Sequence, residues 1–354
     1  MTNYKAAKSK IKQRVTIALD AMGGDYAPLS VIEGASRALF KNSQLYFKIF
    51  GDKDKVMPIL LKYKNLANNY EFFHTSECIK ANDQAFFVLR NGAKTSMGLC
   101  LQCVKNGDAD AVISSGNTGA LMALSKMILG TLEGIDRPAI VTLFPTRKLP
   151  CTFLDLGANS VCSKENLLQF AVMGSAFSSV ISAIEHPKVG LLNIGSEAIK
   201  GNDLVKAASD LISQHQFINY CGFAEGNDIL KGDFDVIVAD GFTGNIALKA
   251  MEGTISFIKF KGIKFFKSAP LAILGGAILY LLTFIRIEKT FQQLDPKNYN
   301  GAMLIGLNGI SVKSHGNAGK KAFASAINVT YKLVIGRVNE KIKDKIELLN
   351  NPHP

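Results

Sequence analysis

Short apolar runs alternate with longer stretches of helical period along most of the chain. Runs at 15–19, 45–50, 70–74, 139–144, 151–154, 189–193, 217–221 and 310–313 read as strands. Between them, helices are expected at 28–40, near 56–64, across Cys100 and Cys103, from 164 to 184, up to His215, and from 320 to 338. Residues 79–98 carry no clear period, although Ser96 is placed to cap the helix that follows. Strands alternating with helices at this spacing predict an α/β fold with a largely parallel sheet covered on both faces. In open sheets of that kind, ligands bind beyond the C-terminal ends of the strands. The loops 20–25, 114–119, 155–159, 194–202 and 239–245 all follow such ends, and the topology implies that they converge on one cleft.

One pattern occurs twice. Asp108-Ala-Asp-Ala-Val-Ile-Ser-Ser-Gly-Asn-Thr-Gly and Asp233-Phe-Asp-Val-Ile-Val-Ala-Asp-Gly-Phe-Thr-Gly superpose by a constant shift. Gly116 then falls on Gly241, Thr118 on Thr243 and Gly119 on Gly244. Each copy predicts a buried strand, a tight loop and a helix start, with glycines that let backbone approach a ligand. The free N–H groups and dipole of a helix's first turn suit an anion. Two ordinary strand–helix turns that merely needed glycine would look similar; the matched Thr and Gly favour two anion-facing units. Asp20-Ala-Met-Gly-Gly-Asp25 forms a further strand-end turn at Gly23 and Gly24, and 155–159 and 194–202 add polar loops with Asn159, Glu197 and Lys200. His315 stands beside Gly316, and a structural role is favoured for it, as for His74.

The 354 residues allow one large α/β domain or two small ones, and the formal net charge of +12 suits an acidic partner: nucleic acid, anionic lipid or an acidic protein. No helix-turn-helix cue or interleaved aromatic–basic motif supports nucleic acid. No G-x-G-x-x-G follows the first strand, which disfavours a dehydrogenase. The six cysteines have no framework spacing, and the lone Cys100-x-x-Cys103 lacks the partners a zinc site needs, so structural, reduced thiols are expected and no metal. The expected organisation is a basic extension over 1–13, one α/β domain over 14–338 and a charged tail over 339–354 that frays. Residues 259–289 interrupt that domain: lysines lead into a nearly continuous apolar run at 269–285 that is closed by Arg286 and Lys289. Burial at a dimer interface, a segment dipping into a membrane surface and a true span all remain open for it.

Taken in order, Ala18-Leu-Asp-Ala-Met-Gly-Gly-Asp25, Ser115-Gly-Asn-Thr-Gly-Ala-Leu-Met122, Gly134-Ile-Asp-Arg-Pro138, Leu154-Asp-Leu-Gly-Ala-Asn159, Gly190-Leu-Leu-Asn-Ile-Gly-Ser-Glu197, Lys200-Gly-Asn202, Asp240-Gly-Phe-Thr-Gly-Asn245 and His315-Gly316 resemble the PlsX family of phosphate acyltransferases from bacterial phospholipid synthesis. The resemblance covers about residues 14 to 330. It implies a Rossmann-like, three-layer α/β/α fold related to phosphotransacetylases and isocitrate-dehydrogenase-like enzymes, usually as a homodimer. It also implies the conversion of acyl-[acyl-carrier-protein] and inorganic phosphate to acyl phosphate and free carrier, without a cofactor. The product feeds a membrane acyltransferase that acts on glycerol 3-phosphate, and the enzyme sits in the cytoplasm, on the inner face of the membrane. The chain departs from the family at 90–97, where fewer cations precede Ser96-Met97, at the more apolar 269–285, at the basic N-terminal extension and mildly at 298–301.

Phosphate is already a nucleophile and a thiol with pKa about 8.5 leaves without a strong acid. The protein therefore has to position phosphate against the thioester and stabilise the oxyanion. Lys200 and Asn245 are expected to be the chemical pair. Phosphate or substrate binding is expected from Asp20, Gly23, Gly24, Ser115, Gly116, Asn117, Thr118, Gly119, Asn159, Glu197, Asp240, Thr243, Gly244 and His315. A phosphotransacetylase using acyl-CoA, or a non-catalytic membrane- or nucleic-acid-binding regulator on the same fold, are the rival readings.

Overall fold

The computed structural model describes residues 14–80, 83, 85–267 and 300–350. In chain order the elements are β1 (Val15–Asp20), α1 (Leu29–Lys41), β2 (Leu45–Gly51), α2 (Lys53–Leu60), β3 (Tyr70–His74), α3 (Ala85–Asn91), α4 (Ser96–Lys105), β4 (Ala111–Ser114) and α5 (Thr118–Leu129). There follow β5 (Ala139–Phe144), β6 (Cys151–Leu154), α6 (Lys164–Ile181), β7 (Val189–Leu192), α7 (Asp203–Ser213), β8 (Tyr220–Ala224), β9 (Val236–Val238) and α8 (Gly241–Lys267). The last elements are β10 (Ala302–Ile305), β11 (Ile310–Lys313), α9 (Lys320–Ile335) and α10 (Val338–Asn350). The α/β fold with largely parallel strands is as the alternation predicts. The chain forms two compact units that divide at Gly130/Thr131, Gly306/Leu307 and Arg337/Val338. The stretch 14–338, expected as one domain, thus contains parts of both.

The N-terminal unit orders its strands β3-β2-β1-β4-β11, every neighbouring pair parallel. Central strands of such a sheet are buried on both faces, which explains why 111–114 shows four buried residues in a row rather than an alternation. Helices α1 and α9 pack on each other, and Gly34 makes that close approach possible: a Cβ there would stand 2.8 Å from the Phe323 side chain and 3.2 Å from the Ala324 nitrogen. On α4, Cys100 and Cys103 are buried, and burial pushes both thiols up from their ordinary range, as inert core residues require.

The second unit orders its strands β10-β5-β6-β9-β7-β8. Strand β5 runs against both neighbours, while the β6, β9, β7 and β8 pairs are parallel. The short link from Phe144 to Cys151 has no room for a crossover helix, so β6 must return antiparallel. Helix α6 lies along β6 and β9 with Phe170 and Phe177 fully buried.

Two local expectations change. The strand placed at 217–221 begins at Tyr220 instead, because residues 215–218 complete a turn in which the Ile218 N–H donates to the His215 carbonyl at 3.0 Å. The end of the chain, expected to fray, is helix α10 up to Asn350 and packs on α6. Val338, Ile342 and Ile346 recur at four-residue spacing and are all buried, an apolar stripe half hidden by the lysines between them. Residues 1–13 and the apolar run 269–285 lie outside the described residues; α8 covers the first part of 259–289 as far as Lys267. No helix among the described residues is long and apolar enough to cross a membrane.

Since Ile342 is fully buried, Ile342→Ala is expected to cost about 2–5 kcal/mol of stability. Urea unfolding reads it directly. An unchanged midpoint would mean that α10 contributes nothing to the core of its unit.

Candidate active-site loops

In the N-terminal unit the strand ends of β1, β4 and β11 gather around Asp20, which is 1% exposed. Its carboxylate accepts hydrogen bonds from the Ser96 hydroxyl at 2.7 Å, the Ser114 hydroxyl at 2.6 Å and the Met22 N–H at 3.2 Å. Ser114 in turn accepts from the Gly116 N–H at 3.0 Å, so one carboxylate links the first turn to the first repeat loop. Thr95 rather than Ser96 caps α4, accepting from the Gly98 N–H at 3.3 Å, and this frees the Ser96 hydroxyl for Asp20. Gly23 fits where a Cβ would stand 2.6 Å from both an Asp20 oxygen and the Gly116 nitrogen. Gly24, at φ +103°, lies against the Ser115 side chain and the Gly316 carbonyl. The Asp25 N–H donates to that carbonyl at 2.8 Å, which brings the exposed His315 and Gly316 to the same turn.

Asn117 caps α5, accepting from the Ala120 N–H at 3.0 Å. Thr118 and Gly119, in the first turn, are exposed, and their N–H groups have no partner among the described residues. Lys313, at the end of β11, belongs to none of the strand-end motifs that the sequence singles out. Its ammonium donates to the Ser115 carbonyl at 3.4 Å and to the Ser314 carbonyl. Burial pulls Lys313 down to about 8, against the upward pull of Asp20 and Asp25.

The second unit repeats the device with Asp155, which is fully buried. One carboxylate oxygen accepts from the N–H groups of Ile140 at 2.9 Å, Gly157 at 3.2 Å and Ala158 at 3.0 Å. The other accepts from the Asn159 N–H at 2.8 Å and the Asn159 side-chain amide at 2.9 Å. Burial raises the Asp155 pKa, and these donors oppose the rise. Asn159 also donates to the Pro138 carbonyl at 2.8 Å and accepts, through its own carbonyl, from the Gly241 N–H at 2.8 Å. Asp240 caps α8 through Thr243, accepting from its N–H at 2.9 Å and its hydroxyl at 2.7 Å. Asn245 is exposed on the next turn and its side chain borders Gly157, where a Cβ would lie 3.4 Å from the Asn245 Cβ.

The two repeat copies therefore differ in detail. Asp110 and Asp235 play one structural part, each accepting from the N–H that enters a neighbouring strand: Thr16 at 2.7 Å and Lys188 at 2.8 Å. The helix, however, starts after Asn117 in the first copy and directly at Gly241 in the second, where the Gly241 and Thr243 N–H groups are already taken by Asn159 and Asp240.

Lys200 and Glu197 stand exposed on the loop after β7. Buried Asn193 shapes this loop: its amide donates to the carbonyls of Gly195 at 3.1 Å and Lys200 at 3.2 Å, and its oxygen accepts from the Ile194 N–H at 2.9 Å. Glu197 and Lys200 both lean on Gly195, and the Lys200 N–H donates to the Glu197 carbonyl at 3.0 Å. Asp155 and Asn193 belong to loops that the sequence singles out, but their part as hubs depends on burial, which sequence does not display.

A family model described as "Fatty acid synthesis protein" matches residues 15–341. The chain is similar to the phosphate acyltransferase of Wolbachia pipientis wMel, 46% identical over 339 residues, which cover 94% of this chain and 97% of that protein. It is also similar to the phosphate acyltransferase of Ehrlichia chaffeensis, 47% identical over 333 residues, covering 93% and 98%. Among solved structures, EutD phosphotransacetylase from Staphylococcus aureus aligns with TM-score 0.59 at 17% identity over 91% of this chain and 94% of its own. A phosphotransacetylase from Streptococcus pyogenes aligns with TM-score 0.60 at 18% identity over the same shares. At these identities the structural likeness speaks to the fold alone.

Gly244 packs so closely that a Cβ would overlap the Asp155 carbonyl oxygen, a backbone atom that cannot swing aside. Gly244→Ala is expected to cost about 1–3 kcal/mol and to displace the head of α8. Chemical unfolding measures the first effect. The amide signal of Asn245, compared in wild type and variant by NMR, reports the second; unchanged spectra would show that the helix head does not depend on this packing.

Proposed function

The chain belongs to the phosphate acyltransferase family, and on that premise we propose that it transfers the acyl group of acyl-[acyl-carrier-protein] to inorganic phosphate. A phosphate oxygen attacks the thioester carbonyl carbon, the C–S bond breaks, and acyl phosphate leaves alongside the free carrier thiol, which takes up a proton. The near-full-length likeness to phosphate acyltransferases carries this reading. The site is in keeping with it: the loops present glycines, amides, a hydroxyl and lysines, the equipment for holding an anion and stabilising an oxyanion.

Lys200 neutralises phosphate or the oxyanion, and its exposure on a loop shaped by Asn193 suits that role. Asn245 donates a hydrogen bond from the head of α8. In the N-terminal unit Asn117, Thr118 and the adjacent glycines suit an anion, with His315 at the margin; in the second unit Thr243 and Gly244 do so, with Asn159, Glu197 and Asp240 at the margin. Asp20 serves the same end indirectly, since its oxygens are occupied by Ser96 and Ser114. The positive charge of +12 suits the acidic carrier. Phe257, Ile258 and Phe260, all exposed toward the end of α8, support an apolar face that meets the membrane from the cytoplasmic side. A homodimer, and delivery of acyl phosphate to a membrane glycerol-3-phosphate acyltransferase, complete the proposal.

The test combines purified protein, a long-chain acyl-carrier protein and inorganic phosphate, and follows free carrier thiol against a control without phosphate. Phosphate-dependent thiol release, with acyl phosphate trapped by hydroxylamine, is the expected result. Release with acyl-CoA but not with carrier would move the reading to a phosphotransacetylase. Lys200→Ala should lower turnover about 10²–10³-fold, as the loss of one oxyanion donor does. Wild-type turnover in that variant would remove Lys200 from the mechanism.

A further inference from the structure

Three groups around the first repeat loop have chemistry that the loop itself does not use. Ser115 is 4% exposed, yet its hydroxyl has no hydrogen-bond partner among the described residues. A buried hydroxyl left in that state is destabilising unless something else satisfies it. Its side chain packs directly on Gly24, where a Cβ would stand 2.7 Å from the Ser115 Cβ, so only glycine lets the first turn come this close. Directly after it, α5 begins, twelve residues long, with the N–H groups of Thr118 and Gly119 unpartnered among the described residues. From the other side, Lys313 reaches the Ser115 carbonyl. The Asp25 carboxylate lies beside Gly316, 4.0 Å from where a Cβ would stand, and its charge acts on Lys313.

An anion beside Lys313 alone would meet repulsion from Asp25. An oxyanion that carries its own proton would not, because it donates that proton to the carboxylate. We propose that Lys313, Ser115 and Asp25 form the subsite for inorganic phosphate, with Lys313 and Ser115 donating and Asp25 accepting the proton of the monohydrogen phosphate. This rests on phosphate being the acyl acceptor. It adds a specificity: sulfate, which has the same shape and no proton at neutral pH, is rejected by Asp25. The groups facing the Lys313 ammonium are Asp20 from β1 and Asp25 from the first turn; the Cys100 thiol of α4 lies near Asp20, and His315 is exposed on the following turn. Lys313 holds its proton below about 8 and loses it above, so phosphate affinity is expected to fall as pH rises from 7 to 9. Over this range the dihydrogen form of phosphate gives way to the monohydrogen form that the subsite takes, so the titration of phosphate itself works against that fall.

Isothermal titration calorimetry of the full-length protein with inorganic phosphate and with sodium sulfate tests the subsite without turnover. At neutral pH, phosphate is expected to bind at least ten times tighter than sulfate. Lys313→Met should weaken phosphate at least tenfold, and Asp25→Asn should bring the two anions within a few-fold of each other. Should Lys313→Met fail to fold by circular dichroism, Lys313→Arg provides the second reading: it keeps the charge at every pH, and should lose the fall in affinity between pH 7 and 9 that wild type shows. Equal affinity for both anions in wild type, a folded Lys313→Met that binds phosphate normally, or an unchanged pH dependence in Lys313→Arg would each overturn the subsite. Phosphate-selective binding without thiol release from acyl-carrier protein would leave the subsite standing and defeat the proposed reaction instead.

Discussion

A carboxylate buried at the end of a strand has to be surrounded by donors, and that requirement shapes both units. Burying an unpaired charge is prohibitively costly, so Asp20 draws Ser96, Ser114 and Met22 to itself, and Asp155 draws Ile140, Gly157, Ala158 and both donors of Asn159. Each aspartate thereby fixes loops that are far apart in sequence. A loop tied in this way holds its backbone N–H groups in one arrangement before any ligand arrives, and fixed donors are what electrostatic catalysis of acyl transfer needs.

Glycine is the counterpart of these carboxylates. Around Asp20 the backbone comes so close that Gly23 leaves no room for a Cβ, and around Asp155 the same holds for Gly241 and Gly244. The glycines of the repeated motif therefore do two kinds of work. Gly241 and Gly244 let the head of α8 settle on the Asp155 loop, whereas Gly116 stays outside the helix and lets the first loop turn under Met97 and Ser114. The same letters in register give a helix that begins two positions earlier in the second copy, because Asp240 caps it where Ser115 stands in the first.

Donor groups divide accordingly. In the second copy the Gly241 and Thr243 N–H groups are satisfied from within, and the side chains of Lys200 and Asn245 stand exposed on loops braced by Asn193 and Asp155. In the first copy the Thr118 and Gly119 N–H groups and the Ser115 hydroxyl stay without partners among the described residues, and a lysine with a weakened hold on its proton stands beside them.

The sequence by itself determined the α/β alternation, nearly every strand, the position of each strand-end loop and, through ordered motifs, the family. Those features repeat locally, as apolar runs, turn glycines and caps, so they are visible without a third dimension. It did not determine that β5 runs against its neighbours, that the last charged stretch is a packed helix through Val338, Ile342 and Ile346, or that Asp20, Asp155 and Asn193 are hubs. Nor did it single out Lys313, which in sequence is one more strand-end lysine among 41 basic residues. Tertiary structure decided these because each depends on what burial does to a polar group: a lysine, an aspartate or a serine becomes chemically distinctive only when water is removed and its partners arrive from elsewhere in the chain.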